Sequence, residues 1–198
     1  MSELIKISIS DEALRAALGR LIASLADTTQ TMRDLSEIMV DASARAFQNN
    51  ADPATGTPWK PLSASRNRQR AKKGRSIANI LQDSGLLVDS IARPSGRGGV
   101  REIGPGHALV GTNVPYAAIH QFGGTINREA APMTVRLRKK NGRIQFAENK
   151  HKRVRIVDTV HKAYTITIPA RPFIGVSPTD ILDMLDTITR NLQKALKP

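Results

Sequence analysis

The segment from Leu81 to Gly124 constrains the fold most strongly, because its structural preference changes several times within a short span. Its apolar residues first recur at helical spacing, which predicts a helix capped by Asp83 or Ser84. Residues 108–111 then predict a buried strand, which the following Asn and Pro end. Residues 116–122 predict a single helical turn closed by two glycines. Since so short a segment cannot bury its own apolar side chains, the flanking chain must cover it.

A strand and two helices are predicted before this segment. Residues 3–9 alternate apolar and polar positions, as a half-buried strand does. Ser10 is predicted to cap the first helix, and the second helix is predicted to end at Asn49 and Asn50. The apolar stripes consist of Leu14, Ala17, Leu18, Leu21, Ile22 and Leu25 in the first helix, and of Met32, Leu35, Ile38, Met39, Ala42, Ala46 and Phe47 in the second.

Residues 51–78 have no periodic pattern, and their prolines and glycine predict a basic, flexible insertion without regular structure. Trp59 lies within it beside Lys60. An exposed Trp can stack on a nucleic-acid base, but we expect Trp59 to anchor the insertion to the body of the protein. The glycine-rich residues 94–99 precede no helix, so they do not predict a phosphate-binding loop. A hairpin is expected next, around residues 104–107.

The clearest local prediction is a β-hairpin at Thr134 to Ala147. Two alternating segments flank Asn141 and Gly142, the pair that favours a type I′ turn. One face of this hairpin is apolar and the other carries arginines. We therefore expect a basic ribbon able to lie along a phosphate backbone. The residues expected to face nucleic acid are Arg136, Arg138, Lys139, Lys140, Arg143, Lys152, Arg153 and Arg155.

A strand at Tyr164 to Ile168 and a C-terminal helix complete the chain. Ser177 is predicted as the cap of that helix, with Pro178 at its first position and Asp180 completing a capping box. We expect the helix to pack across the sheet. The fold class is therefore α+β: a small mixed or antiparallel sheet with a basic β-hairpin, packed by two N-terminal helices and a C-terminal helix. Residues 1–198 are expected to form a single domain, with basic, flexible insertions at 51–78 and 139–162.

The net charge of +13 indicates an anionic partner, since the excess lies in the middle of the chain. Residues 60–75 alone contain seven Lys and Arg and no acid. The alternative interpretation of such a cluster is a solvated loop. There are no cysteines, so disulfides and thiolate metal sites are excluded. No apolar run is long enough to span a membrane, so a soluble protein without a membrane partner is expected.

The sequence predicts no active site. The four histidines are dispersed without ligand spacing, the central carboxylates are spread singly, and neither a nucleophile motif nor a phosphate-binding loop is present. His120 with Tyr116 and Gln121 could act as an acid-base pair, but we favour a packing or subunit-contact role. We expect no enzymatic activity, no metal and no cofactor.

Three motifs in order resemble the phage virion morphogenesis family, the tail-completion and neck proteins of Mu-like long-tailed phages. They are LQDSGLLVDSI at residues 81–91, VGTNVPYAAIHQFGG at 110–124 and IPARPFIGVSPTD at 168–180. The resemblance implies a structural virion protein of the head-to-tail connector, located at the neck or tail junction and assembled in the host cytoplasm. It also implies an α+β fold with flanking helices and no catalytic activity.

The same resemblance implies a homo-oligomeric ring around the DNA channel, a hexamer or alternatively a dodecamer. Its implied partners are neighbouring connector and tail-terminator or tail-tube proteins, and packaged double-stranded DNA contacted without sequence specificity. The residues expected at a subunit interface or a core corner are Tyr116, His120, Phe122, Arg171, Phe173 and Ile174. Two other functions compete with this one: a sequence-independent nucleic-acid-binding accessory protein, and a hydrolase or nuclease whose site is assembled from scattered residues.

Overall fold

The computed structural model describes residues 12–93 and 96–197, which divide into two compact units. The larger unit comprises the described residues up to Phe122 and from Ala170 onward, and the smaller unit is Gly123–Pro169. Six helices and seven strands occur among the described residues, so the α+β class is confirmed. The strand predicted at residues 3–9 and the Ser10 cap lie outside them. The single domain with flexible insertions stays a prediction.

The larger unit contains all six helices and one hairpin. The helices are α1 (Glu12–Ala26), α2 (Thr29–Asn49), α3 (Ala64–Lys72), α4 (Leu86–Ala92), α5 (Ala117–Phe122) and α6 (Pro178–Leu196). The end predicted for α2 is confirmed: Asn50 adopts the left-handed conformation, with φ of 50°, and its N–H donates to the Ala46 carbonyl. The absence of regular structure predicted for residues 51–78 is wrong, because α3 forms there with Ser63 as its cap.

The start of α4 differs from the prediction. Gly85 is the residue before the helix, with φ of 80°. Of the two predicted caps, Ser84 is the one whose hydroxyl accepts from an N–H of the first turn, that of Leu86, at 3.5 Å. Asp83 does not cap α4, because its carboxylate is held by arginines of the preceding segment. The sharp turn therefore depends on the freedom of Gly85 in a region that side chains rarely adopt.

The predicted hairpin is formed by β1 (Gly99–Gly104) and β2 (His107–Thr112), which pair antiparallel around a Pro-Gly turn. β2 is not buried as predicted: its exposure alternates, and Leu109 is exposed. The reason is that only one face of the hairpin packs on α2 and α4. The glycine at its start allows close packing, since a Cβ on Gly99 would lie 2.5 Å from the Ser90 carbonyl oxygen of α4.

The core of the larger unit is built on three aromatic rings. The rings of Phe47 and Phe173 lie 5.6 Å apart between centroids, and Trp59 meets Phe47 edge to face at 5.8 Å. Trp59 is buried and its indole Nε1 donates to the Pro172 carbonyl at 2.7 Å. The anchoring role predicted for Trp59 is confirmed, and a buried indole cannot stack on a base. The remaining core residues are Ala46, Ile80, Leu87, Ile91, Val114 and Ala117.

The capping box predicted for α6 is confirmed. The Ser177 hydroxyl accepts from the Asp180 N–H at 3.1 Å, and the Asp180 carboxylate accepts from the Ser177 N–H at 2.8 Å. The packing predicted for α6 is wrong, because it lies against α1 and α2 and not across a sheet. Asp180 pairs with Arg45 of α2, and the Asn191 amide donates to Asp34 of the same helix at 2.9 Å. These polar contacts hold α6 against α2. Packing across a sheet would instead need apolar side chains on the facing side of the helix.

The smaller unit consists of antiparallel strands alone. β3 (Gly124–Arg128) pairs with β7 (Tyr164–Ile168), while β4 (Ala131–Lys140) lies between β5 (Arg143–Phe146) and β6 (Arg155–His161). The β4–β5 loop has two residues, Asn141 and Gly142, with φ of 51° and 76°. Positive φ at both positions is the type I′ geometry, so the predicted hairpin and its turn are confirmed.

Candidate assembly and nucleic-acid-binding surfaces

The basic ribbon formed by β4 and β5 concentrates charge on one face. The register places Arg138 opposite Gln145 and Lys140 opposite Arg143. Because opposed residues share a face in an antiparallel pair and alternate residues do too, Arg136, Arg138, Lys140 and Arg143 lie on the same side. The charged face predicted from the sequence is thus present.

Not all eight residues expected to face nucleic acid share that side. Lys139 is opposite Ile144 and Arg155 is opposite Leu137, so both lie on the face that also carries Phe146. Lys152 and Arg153 are exposed in the segment before β6. Successive residues of a strand point to opposite faces, so cations that are neighbours in sequence lie on different sides of the sheet. A count of charges in the sequence does not show this separation.

Two of the ribbon arginines are partly covered. The guanidinium of Arg136 donates to the His151 carbonyl at 3.2 Å, and Arg138 Nη1 lies 2.6 Å from His151 Nε2. Both side chains are half-buried, whereas Lys139, Lys140 and Arg143 are exposed. The exposed cations are therefore those nearest the hairpin turn, those before β6, and Arg155 at the start of β6.

Of the residues expected at an interface or a core corner, some are buried in the core and others are exposed at the surface. Phe173 and Arg171 are buried, and Ile174 packs against the core. The guanidinium of Arg171 donates to the carbonyls of Lys60 at 2.8 Å and Pro61 at 3.2 Å, which joins this corner to the segment after Trp59. Tyr116 and Phe122 are exposed, and Phe122 keeps 79% of its surface.

Gln121, for which a packing or subunit-contact role was favoured, makes backbone contacts that the sequence did not predict. Its Oε1 accepts from the N–H groups of Phe173 at 2.9 Å and Ile174 at 3.1 Å, and its Nε2 donates to the Ile174 carbonyl at 2.9 Å. One amide thus satisfies three backbone groups of the ARPFIG motif. The signal that could have found it is a polar residue inside the compact YAAIHQF motif.

His120 lies beside Tyr116, with 6.0 Å between the ring centroids. Burial lowers its pKa, and the positive charge of Arg171 lowers the pKa further, so the imidazole is neutral at pH 7. Its Nδ1 is buried without a hydrogen-bond partner. His120 and Tyr116 line a cleft of about 350 Å³ that also contains Arg66, Arg70 and Arg171. The acidic residue that lines this cleft is Asp83.

Asp83 joins three arginines that are separate in sequence. Its carboxylate accepts from Arg75 at 2.8 Å, from Arg66 at 2.9 Å and from Arg70 at 3.3 Å. Arg70 is 3% exposed and also donates to the Asn79 carbonyl at 2.9 Å. The hydrogen bond from Arg75 is the main cause that lowers the pKa of Asp83, so the carboxylate stays charged. This cluster was not predicted from the sequence.

Two helices present apolar faces to solvent. No residue of α1 is buried, and four of its stripe residues are about half or more exposed: Leu14, Leu18, Ile22 and Leu25. The first half of α6 exposes Ile181, Leu182 and Leu185. Leucines repeated on one side of a helix normally face a partner, so these faces are candidate interaction surfaces.

The described part of the chain contains no group of three or more His, Cys, Asp or Glu side chains placed to hold a metal ion. Within the same residues, no helix has both the length and the apolar character to cross a membrane.

Comparison with known proteins identifies the family. The chain is 29% identical to the Mu-like prophage FluMu G protein 2 of Haemophilus influenzae, over 98% of this chain and the whole of that protein. It is 27% identical to the putative capsid assembly protein G of Escherichia phage Mu, over 83% of this chain and 80% of that protein. No solved structure matches significantly. The sequence model of the phage virion morphogenesis family matches residues 9–193. The chain therefore belongs to the phage virion morphogenesis family, and its role is in the assembly of a phage particle.

Proposed function

We propose that this protein is a structural component of the phage head-to-tail connector and forms a homo-oligomeric ring around the DNA channel at the neck. It acts by joining neighbours and catalyses no reaction. The observation that carries the proposal is the pair of apolar faces, on α1 and on the first half of α6, that are exposed among the described residues. The name of the phage Mu relative, a putative capsid assembly protein, supports an assembly role.

The two apolar faces are separate surfaces on one protomer. Arg20 of α1 donates to the carbonyls of Ala195 at 3.3 Å and Leu196 at 3.2 Å, so α1 lies along the last turns of α6. Leu182 and Leu185 are about 15–20 Å farther along α6, at 1.5 Å per residue. Within residues 12–93 and 96–197, the contact between α1 and α6 therefore does not cover either face.

A second copy of the chain is the occupant that covers both faces together. If α1 of one protomer packs on the first half of α6 of the next, each protomer uses one face of each kind. Such a head-to-tail contact is heterologous, and its repetition closes into a ring when the rotation between protomers allows it. A self-complementary dimer would instead bring identical faces together.

The charges beside the two stripes are of opposite sign. α1 carries Arg15, Arg20 and one acid, Glu12, whereas the first turns of α6 carry Asp183 and Asp186 next to the exposed leucines. Within the protomer, Arg20 already donates to the Ala195 and Leu196 carbonyls and Asp186 already pairs with Arg190. The α1 face runs along a helix of 15 residues, about 22 Å, whereas the exposed apolar residues of α6, Ile181 to Leu185, span about 6 Å of helix. The contact would therefore have a small apolar core, and its polar border would supply much of its area. Standard interfaces bury about 800 Å² per partner and have this apolar core and polar rim.

The basic ribbon is the part of the smaller unit that would contact the packaged duplex. Its exposed cations lie along strands without the geometry that reads base edges, which suits contact with phosphates whatever the sequence. The neighbouring connector and tail-terminator or tail-tube proteins would bind the faces of the ring.

The test is the mass of the nuclease-treated protein in solution. Light scattering at low and at high salt is expected to give a fixed multiple of the 21.6 kDa protomer mass, six being the number we expect. Because apolar contacts persist in salt, the ring should survive the high-salt condition. Negative-stain images should show a central hole. A species of 21.6 kDa at every concentration and salt would contradict the proposal.

A further inference from the structure

The segment from Lys60 to Arg75 is a preformed cationic surface. It has seven basic residues and no acid, a composition that alone predicts a self-repelling loop. The structure instead folds part of it as α3 and fixes Arg66, Arg70 and Arg75 on the carboxylate of Asp83. Three guanidinium groups are thus held in place before any ligand arrives.

The cleft beside α3 has an excess of positive charge. Arg66, Arg70 and Arg171 line it against the one carboxylate of Asp83, and the neutral imidazole of His120 adds no charge of either sign. Arg70 and Arg171 are 3% and 6% exposed, so these charges are set into the body of the larger unit. Buried, fixed cations attract an anion more strongly than mobile surface lysines do.

The outer side of α3 adds further cations. Arg68, Lys72 and Lys73 are exposed, and no acidic side chain in residues 12–93 or 96–197 pairs with them. α3 has nine residues and is about 13 Å long, which equals the rise of roughly four nucleotides along one DNA strand. Arg68 and Lys72 lie one turn, about 6 Å, apart on this side of the helix, and Lys73 follows the helix end. Several cations so spaced fit successive phosphates better than a single carboxylate.

From these contacts we infer that α3 and its cleft bind the phosphates of duplex DNA without reading the base sequence. Arg66 and Arg75, which are 43% and 40% exposed, contact the phosphates, and Asp83 with the buried Arg70 positions them. The site is separate in sequence from the basic ribbon, and the inference does not depend on ring formation.

The experiment measures binding of the full chain to a fluorescent duplex of random sequence by anisotropy, across a series of salt concentrations. The test variant is Arg66→Gln with Arg75→Gln, which leaves Arg70 and Asp83 paired. The matched control is Arg97→Gln with Lys197→Gln, which removes two exposed positive charges elsewhere. Circular dichroism melting verifies that both variants fold. A polyglutamate peptide serves as a second probe.

Each lost phosphate contact lowers the slope of log K against log salt by about 0.9, so the test variant should lose about two units of slope per protomer. The control should keep the wild-type slope. Equal slopes in wild type and test variant would overturn the inference, and so would equal losses in both variants. Binding of polyglutamate in place of DNA, abolished in the test variant, would overturn it in favour of an acidic protein partner.

Discussion

Replacing Phe173 with alanine is expected to lower the free energy of unfolding by about 3–5 kcal/mol, the usual loss for a buried aromatic truncated in a core. Phe173 is fully buried, and its ring packs on the ring of Phe47. Its backbone N–H donates to the Gln121 side chain. Removal of the ring leaves a cavity beside Phe47 of α2 and next to the backbone that Gln121 of α5 holds.

The matched control is Phe122→Ala, because Phe122 has the same side chain in the neighbouring motif but is 79% exposed. Its free energy of unfolding should stay within about 0.5 kcal/mol of the wild type. Both values come from urea denaturation followed by circular dichroism. Similar losses in the two variants would contradict the assignment of Phe173 to the core.

Replacing Asp180 with alanine is expected to destabilise the protein by about 2–3 kcal/mol, the sum of a lost helix cap and lost charged hydrogen bonds. The side chain of Asp180 is 4% exposed and completes the capping box of α6, and its other oxygen pairs with Arg45 of α2. The control is Asp186→Ala, since Asp186 is 66% exposed and its pair with Arg190 within α6 should contribute about 0.3–0.5 kcal/mol.

The pH dependence of this loss provides a second check. Burial raises the pKa of Asp180, but the hydrogen bonds from Ser177 and the charge of Arg45 outweigh burial and lower the pKa below its ordinary value of 3.8. A carboxyl whose pKa is lowered by folding stabilises the protein above its unfolded pKa and loses that effect as pH falls. The difference between wild type and Asp180→Ala should therefore be constant near neutrality and shrink below pH 3.8. A difference that grows on acidification would contradict this assignment.

The features that the sequence predicted correctly are those set by neighbouring residues. The cap at Ser177, the turn at Asn141 and Gly142, and the end of α2 at Asn50 each depend on the conformational preference of a few adjacent positions. Such preferences act before tertiary contacts form. The alternation along β4 likewise placed the charged face of the ribbon.

The features that were missed depend on residues far apart in sequence. α3 was not predicted, because arginines of α3 are held by Asp83, which lies outside the helix. Arg66, for example, donates to the Asp83 carboxylate from 17 residues away in sequence. The packing of α6 on α2 depends on Arg45 and Asp180, which are 135 residues apart. The exposure of the α1 leucines cannot be read from an apolar stripe, since the same pattern fits a helix buried within its own chain.

The central claim is that α1 of one protomer packs on α6 of the next, and mixing two assembly-defective variants tests it most directly. Leu18→Glu with Ile22→Glu removes the α1 face, and Leu182→Glu with Leu185→Glu removes the α6 face. Each variant places charge on exposed positions, so the fold should be retained while the ring is lost. Ile144→Glu with Phe146→Glu, on the exposed apolar face of the ribbon, is the control that should still form rings.

The decisive measurement is the light-scattering mass of an equimolar mixture of the two defective variants. Each alone should have the 21.6 kDa mass of a protomer, and the mixture should give twice that mass, because one intact α1 face meets one intact α6 face and no further contact can follow. A mixture that remains monomeric, or either variant assembling alone as the wild type does, would contradict the account.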